Sequence, residues 1–296
     1  MRVNIHDFAV GISMKRKIPM NQSTKGDALR VLMIGDVVGR AGRGVLSRYL
    51  AEIREQYAID FVIANAENAN GGSGLTPENY NALLRAGVDA MTLGDHSFRQ
   101  KSIFPVLCDP EPRVIRPANY PQLAPGRGWT ILEVPSTLKR PATKIAVMSL
   151  LGRVFINQPV DNPMTVVDTL LERVRDVKVR FLDFHTEATS EAQMMGRYLD
   201  GRVSAVLGTH THVATADETI FPGGTAFQCD VGMTGAFESV IGRKIDSVLY
   251  SFRTCRSTAL DVAENDPGIN GTMVDVDPLT GKAVGIERLF FKESDV

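Results

Sequence analysis

The stretch VRFLDFHTEATSEAQMMGRYLDGRVSAVLGTHTHV (residues 179–213) decides how the chain folds. Its outer parts, VRFLDF (179–184) and VSAVLG (203–208), are short apolar runs with the composition of buried strands. Between them, SEAQMMGRYLDG (190–201) carries apolar residues at helical spacing and closes on glycine. Strand, helix and strand in succession form the pattern of an α/β fold. Both strands run into histidine, at His185 in FLDFH and at His210 and His212 in VLGTHTH. In an extended chain residues i and i+2 share a face, so His210 and His212 are expected to aim at one spot.

The same alternation extends on either side. RVLMIG (30–35), DFVIAN (60–65), DAMTLG (89–94) and KIAVMSL (144–150) read as further buried strands. GVLSRYLAEIREQYA (44–58), TPENYNALLRAG (76–87) and MTVVDTLLERVRD (164–176) read as helices. The second has Thr76 as N-cap, Pro77 at the first helical position and Gly87 at its close. GTMVDVDPLTGKAVGIERLFF (271–291) predicts a hairpin turning at DPLTG. No repeat or linker divides residues 30–296, so one α/β domain with an antiparallel C-terminal element is the economical architecture. Residues 1–29 lack the basic-then-apolar order of a secretory signal and are expected to be a poorly ordered extension. Met14 and Met20 are alternative starts within it, and His6 is expected to have no role.

Composition narrows the function. Lys plus Arg is 33 against 34 for Asp plus Glu, and MKRK (14–17) is the one basic run, so no stable nucleic-acid complex is expected. Cys108, Cys229 and Cys255 are widely spaced and form no CxxC, which argues against a thiolate metal site and for a reducing, cytoplasmic location. No apolar stretch approaches the roughly 20 residues of a membrane span.

Chemistry gathers where the strands end. VLMIGD ends in Asp36, FVIANAEN in Glu67 and Asn68, and MTLGDH in Asp95 and His96. With His185, His210 and His212, four of the five histidines and three carboxylates fall at the carboxyl ends of strands, where open α/β sheets form their sites. Mixed imidazole and carboxylate ligands without cysteine suit first-row metals. Eight such groups exceed one tetrahedral site but suit two ions sharing a carboxylate, an arrangement that serves phosphoryl transfer. Asp183 shares a strand face with His185 and either orients it or is a buried structural acid. GDVVGRAGRG (35–44) is glycine-rich but does not match GxGxxG, so a dinucleotide site is not expected. NGGSGLT (70–76) is a candidate pocket rim. Arg116 and Arg153 are phosphate contacts of second rank, each read first as a structural or surface arginine.

Taken in order, GDVVG, NAEN, GDH, RPAN, DFHTEATSE, DGRVSAVLGTHTHV and DVGMTG resemble the YmdB-type bacterial metallophosphoesterases of the calcineurin-like superfamily. The likeness runs from about residue 30 to the end. It implies a four-layer α/β/β/α sandwich, two divalent ions (iron or manganese) and attack of metal-bound hydroxide on small phosphodiesters, 2′,3′-cyclic nucleotides in particular. It further implies that Asp36, Asn68 and His212 hold one metal, that Asp95, His185 and His210 hold the other, and that Glu67 bridges. His96 would be the general acid, and the protein a homo-oligomer of two or four subunits. Typical superfamily members place a histidine two residues after the first Asp; Val38 stands there, and Asn68 would compensate. The family ordinarily reads GNH where this chain reads GDH (94–96). The extra carboxylate is expected to tighten metal binding while making metal-bound water less acidic and attracting phosphate less. A regulatory metal-binding scaffold with little catalysis is the alternative. A monoester phosphatase is the nearest enzymatic rival, but it would need extra cationic groups.

Overall fold

The computed structural model describes residues 27–138 and 140–295. The extension expected over residues 1–29, with His6, lies outside these up to Gly26, and Leu29 already belongs to the first strand. In chain order the first half forms β1 (Leu29–Ile34), β2 (Asp36–Val37), α1 (Gly39–Gln56), β3 (Phe61–Asn65), α2 (Pro77–Ala86), β4 (Ala90–Thr92), α3 (Phe104–Leu107), β5 (Val114–Ile115) and β6 (Trp129–Val134). There follow β7 (Thr143–Leu151), α4 (Pro163–Arg173), β8 (Val179–His185), α5 (Thr189–Tyr198), β9 (Ala205–Thr209), β10 (Thr219–Ile220) and β11 (Ala226–Gln228). The chain closes with β12 (Met233–Ala236), α6 (Ile245–Thr254), β13 (Pro267–Val276) and β14 (Ala283–Lys292).

The fold is mixed α/β with two sheets. One runs β2-β12-β13-β1-β3-β4-β5, with β14 paired to β13; the other runs β10-β11-β9-β8-β7-β6. β1, β3, β4 and β5 are parallel, as are β7, β8, β9 and β11. Both faces of the central strands are covered, which is why they read as unbroken apolar runs. Along β1, Leu32 and Ile34 join a cluster with Val45, Leu46 and Leu50 of α1, whereas Val31 and Met33 join Val147 of β7 and Phe181 of β8. Along β8, Phe181 faces that second cluster, while Leu182 and Phe184 pack with Leu170 of α4 and Met195 of α5. The period-two alternation thus divides three cores: α1 against the first sheet, sheet against sheet, and the second sheet against α4 and α5.

Two elements depart from expectation. α1 begins at Gly39, not residue 44. A Cβ at Gly42 would lie 2.3 Å from the Thr234 carbonyl oxygen, so the glycines of GRAGRG allow the first helical turn to pack on β12. The C-terminal hairpin forms as β13 and β14, but β13 also pairs with β1 along its length and lies inside the sheet. Among the described residues no helix is long and apolar enough to cross a membrane.

Candidate metal centre

The parallel strands bring their carboxyl ends to one edge, and His185 closes β8 there, fully buried. Its Nε2 lies 3.2 Å from Glu67 Oε1, 3.3 Å from Asp95 Oδ1 and 3.0 Å from His210 Nδ1. On the other side of the ring, Nδ1 is 2.8 Å from Thr209 Oγ1. The Thr209 hydroxyl donates its single proton to Asp183 Oδ1 (2.7 Å), so it accepts from His185. That chain keeps a proton on Nδ1 and turns Nε2 to the carboxylates. Asp183 also accepts from Asn65 Nδ2 (3.1 Å) and from the Thr92 hydroxyl, and burial pushes its carboxyl up to about 6. It therefore orients His185, through Thr209.

Burial alone would raise the pKa of Glu67 and Asp95, but the adjoining His185 outweighs it and holds both below the ordinary carboxylate range. His185 responds in kind: burial opposes its charge, yet Glu67 and Asp95 hold its pKa well above the usual histidine value. His210 is pushed down, by burial first and by His185 second. Gly94 makes this crowding sterically feasible, because a Cβ there would lie 2.4 Å from both Glu67 Oε2 and His185 Nε2.

The two histidines of GTHTHV do meet the site, but not by strand alternation. β9 ends at Thr209, and His210 (φ 114°) and His212 (φ 64°) lie in the turn beyond it. They accordingly part company: His210 Nδ1 is 3.6 Å from Asp95 Oδ1, whereas His212 Nε2 is 3.1 Å from Asn68 Nδ2 and 3.9 Å from Asp36 Oδ1. Asp230, in DVGMTG, holds the turn by accepting from the Thr211 amide (2.8 Å) and hydroxyl (2.9 Å) and from Gly232 N (2.7 Å). His212 Nδ1 donates to the Ile241 carbonyl at 2.9 Å, leaving Nε2 free to accept.

Asp36 supplies the test of whether cations fit. It is fully buried; Oδ2 accepts from His210 N (3.0 Å), while Oδ1 has no hydrogen-bond partner among the described residues. A buried carboxylate oxygen left unpaired is costly unless a cation answers it. Among the described residues the ion-pair partners of Asp36, Glu67 and Asp95 are all histidines. Ligand atoms of Glu67, Asp95, His185 and His210 all lie within 4.8 Å of one another. The donors are nitrogen and oxygen, three carboxylates collect with no lysine or arginine among them, and the arrangement fits divalent cations. His96 sits at the rim, its side chain 23% exposed, with Nδ1 2.8 Å from Asn68 Oδ1 and Nε2 3.6 Å from Asp95 Oδ2.

All eight residues singled out from the sequence thus meet at one edge. Arg116 does not join them: its guanidinium donates to the carbonyls of Pro117, Ala118, Ala124, Pro125 and Gly126, organising its own loop. Arg153 is exposed. The NGGSGLT turn is pinned by Arg243 Nη2 to Gly72 O (2.7 Å) and by Gln100 Nε2 to Ser73 O (3.2 Å). Asn65, Thr92, Thr209 and Asp230 support the site without having been singled out from the sequence. All but Asp230 lie inside or at the end of strand-like runs, and polar residues there were the available signal.

A family model described as YmdB-like protein matches residues 32–289. The chain is 41% identical over 266 residues to a 2′,3′-cyclic-nucleotide 2′-phosphodiesterase of Bacillus subtilis (strain 168), covering 90% of this chain and 98% of that protein. A crystal structure of a hypothetical protein from Thermus thermophilus matches with a TM-score of 0.82 at 39% identity, covering 90% of this chain and 100% of that one. A phosphatase from Mycoplasma pneumoniae matches with a TM-score of 0.81 at 33% identity, covering 90% and 94%.

Proposed function

The chain belongs to the YmdB-like family, and from that premise we propose that it is a metal-dependent phosphoric diester hydrolase acting on small phosphodiesters, 2′,3′-cyclic nucleotides in particular. The observation that carries the reading is the unpartnered Asp36 Oδ1 beside two further carboxylates neutralised only by histidine. Asp36, Asn68 and His212 would hold one divalent ion, Asp95, His185 and His210 a second, with Glu67 shared. Iron or manganese suits these donors. Such ions supply Lewis-acid activation of the attacking water and neutralise charge on the phosphoryl group.

The protein's own groups do the rest. Asn68 Oδ1 fixes the His96 ring through Nδ1, leaving Nε2 at the rim as the atom that gives a proton to the departing ribose alkoxide. Asp183 and Thr209 hold His185 in one tautomer, and Asp230 holds the turn that separates His210 from His212. Among the described residues no lysine or arginine side chain pairs with the site's carboxylates, and Arg116 is committed to carbonyls; this favours diesters over doubly charged monoesters. We read the three apolar cores as the interfaces of a four-layer α/β/β/α sandwich spanning residues 30–296. A cytoplasmic homo-oligomer of two or four subunits completes the reading. α6 supports assembly, since it buries none of its residues and exposes Leu249, Tyr250 and Phe252.

The test is turnover after metal removal and reconstitution with Mn or Fe, on bis-p-nitrophenyl phosphate and a 2′,3′-cyclic nucleotide. Metal-dependent hydrolysis is expected, with His96→Ala slower by roughly 10²–10⁴-fold. Two bound ions without turnover on either substrate would instead support the regulatory scaffold, the alternative that the extra carboxylate of Asp95 keeps open.

A further inference from the structure

At the amino-terminal edge of the second sheet, away from the candidate metal centre, a cavity of about 180 Å³ opens between four turns. The turns precede β8, precede β9, join β10 to β11 and join β13 to β14. Four cationic residues line it, Lys178, Arg180, Arg202 and Lys282, and every other lining residue is glycine, valine or threonine. These cations are scattered over more than a hundred positions of the sequence, so no basic run announces them.

Their charge is poorly answered. Arg180 spends its guanidinium on main-chain carbonyls, of Val177 (2.6 Å), Arg202 (3.1 Å) and Arg175 (2.8 Å), and burial lowers its pKa. Lys178 and Lys282 are exposed and make no ion pair among the described residues. Arg202 alone is paired, its Nη2 lying 2.6 Å from Asp168 Oδ1. Behind the wall, Asp200 Oδ2 accepts from Gly223 N at 2.9 Å. Asp277, in the hairpin turn, accepts from the Thr280 hydroxyl at 2.7 Å. Setting Asp168, Asp200 and Asp277 against the four cations leaves one positive charge unbalanced.

The walls are also fixed in place. Ser204 Oγ donates to the Gly281 carbonyl (2.6 Å) and accepts from Arg180 N (3.0 Å), tying β8, the β9 approach and the hairpin turn together. Gly281 has φ 77°, and a Cβ there would lie 2.2 Å from the Lys178 carbonyl oxygen, so the two turns are in direct contact. A cavity framed by turns bonded to one another and carrying a surplus of positive charge is preorganised for a compact anion. Its volume equals that of roughly six waters, enough for a diphosphate.

We propose that this cleft binds a small phosphate anion, either free diphosphate or the terminal phosphates of a nucleotide. The site is separate from the catalytic reading and stands without it: along β8, Arg180 and His185 are roughly 17 Å apart at strand rise.

Lysine acetylation followed by mass spectrometry on the full chain reads the cleft locally. Inorganic pyrophosphate at ten times its Kd should slow acetylation of Lys178 and Lys282 by roughly tenfold. Lys101 and Lys144, exposed elsewhere, should be unaffected. Matching protection by a nucleoside diphosphate identifies the terminal phosphates as sufficient, and protection by pyrophosphate alone identifies the free anion. Lys282→Gln, an exposed change, should reduce protection of Lys178 severalfold. The proposal is overturned if neither anion protects, if sodium chloride at equal ionic strength protects equally, or if slowing is uniform over all lysines. It is likewise overturned if EDTA, which strips metal without filling the cleft, reproduces the effect.

Discussion

Asp95 places a third carboxylate where three histidines meet, its Oδ1 3.3 Å from His185 and 3.6 Å from His210, its Oδ2 3.6 Å from His96. An Asn at that position would keep an oxygen donor and remove the charge. Asp95→Asn should therefore weaken metal binding, by on the order of tenfold or more, since losing even an indirect partner costs that much. It should also move the pH–rate profile to lower pH and lower KM, because one less negative charge opposes neither water ionisation nor phosphate approach. Metal titration by calorimetry reads the first effect independently of turnover, and the idea fails if affinity, profile and KM all stay put. At this scale the sequence was highly legible: Asp36, Glu67, Asn68, Asp95, His96 and His185 declare themselves by following apolar runs. The geometry of His210 and His212 was not, because a turn with positive φ replaces the expected extended chain and is stabilised by Asp230, some twenty residues on.

Among the elements, β1 and β13 show how a buried polar pair fixes register. Arg30 and Asp275 are direct cross-strand partners, and the guanidinium makes two bonds of 2.7 Å to the carboxylate, with side chains only 9% and 11% exposed. Removing the cation leaves Asp275 buried and unanswered. Arg30→Met should cost about 3 kcal/mol in urea unfolding, and Arg30→Met with Asp275→Leu should recover most of it. A single-variant loss below about 1 kcal/mol would mean that water compensates. The elements read most surely were those with strong periodicity, such as β8, α2 and α4. α6 escaped notice because it buries nothing, and β6 because its alternation is broken by half-exposed residues at the sheet edge. The early start of α1 was hidden by its glycines, whose propensity argues against helix while their size permits contact with β12.

Over the whole molecule, the candidate centre draws on both sheets, Glu67 and Asp95 following β3 and β4 of one, His185 closing β8 and His210 following β9 of the other. Ions bound there would tie the sheets together and would find no such site in the unfolded chain. Chelation should lower Tm, and restoring Mn or Fe should return it in a concentration-dependent way. A Tm indifferent to both would mean that the carboxylates are already compensated without metal. The sequence by itself determined the α/β alternation and the identity of the groups at the strand ends, because hydrophobic period and the residue closing each run are local properties. Tertiary structure alone decided the hydrogen-bonded support behind those groups. Asn65 and Thr92 reach Asp183 across 118 and 91 residues of sequence, and only the packing of one sheet on the other brings them within bonding distance.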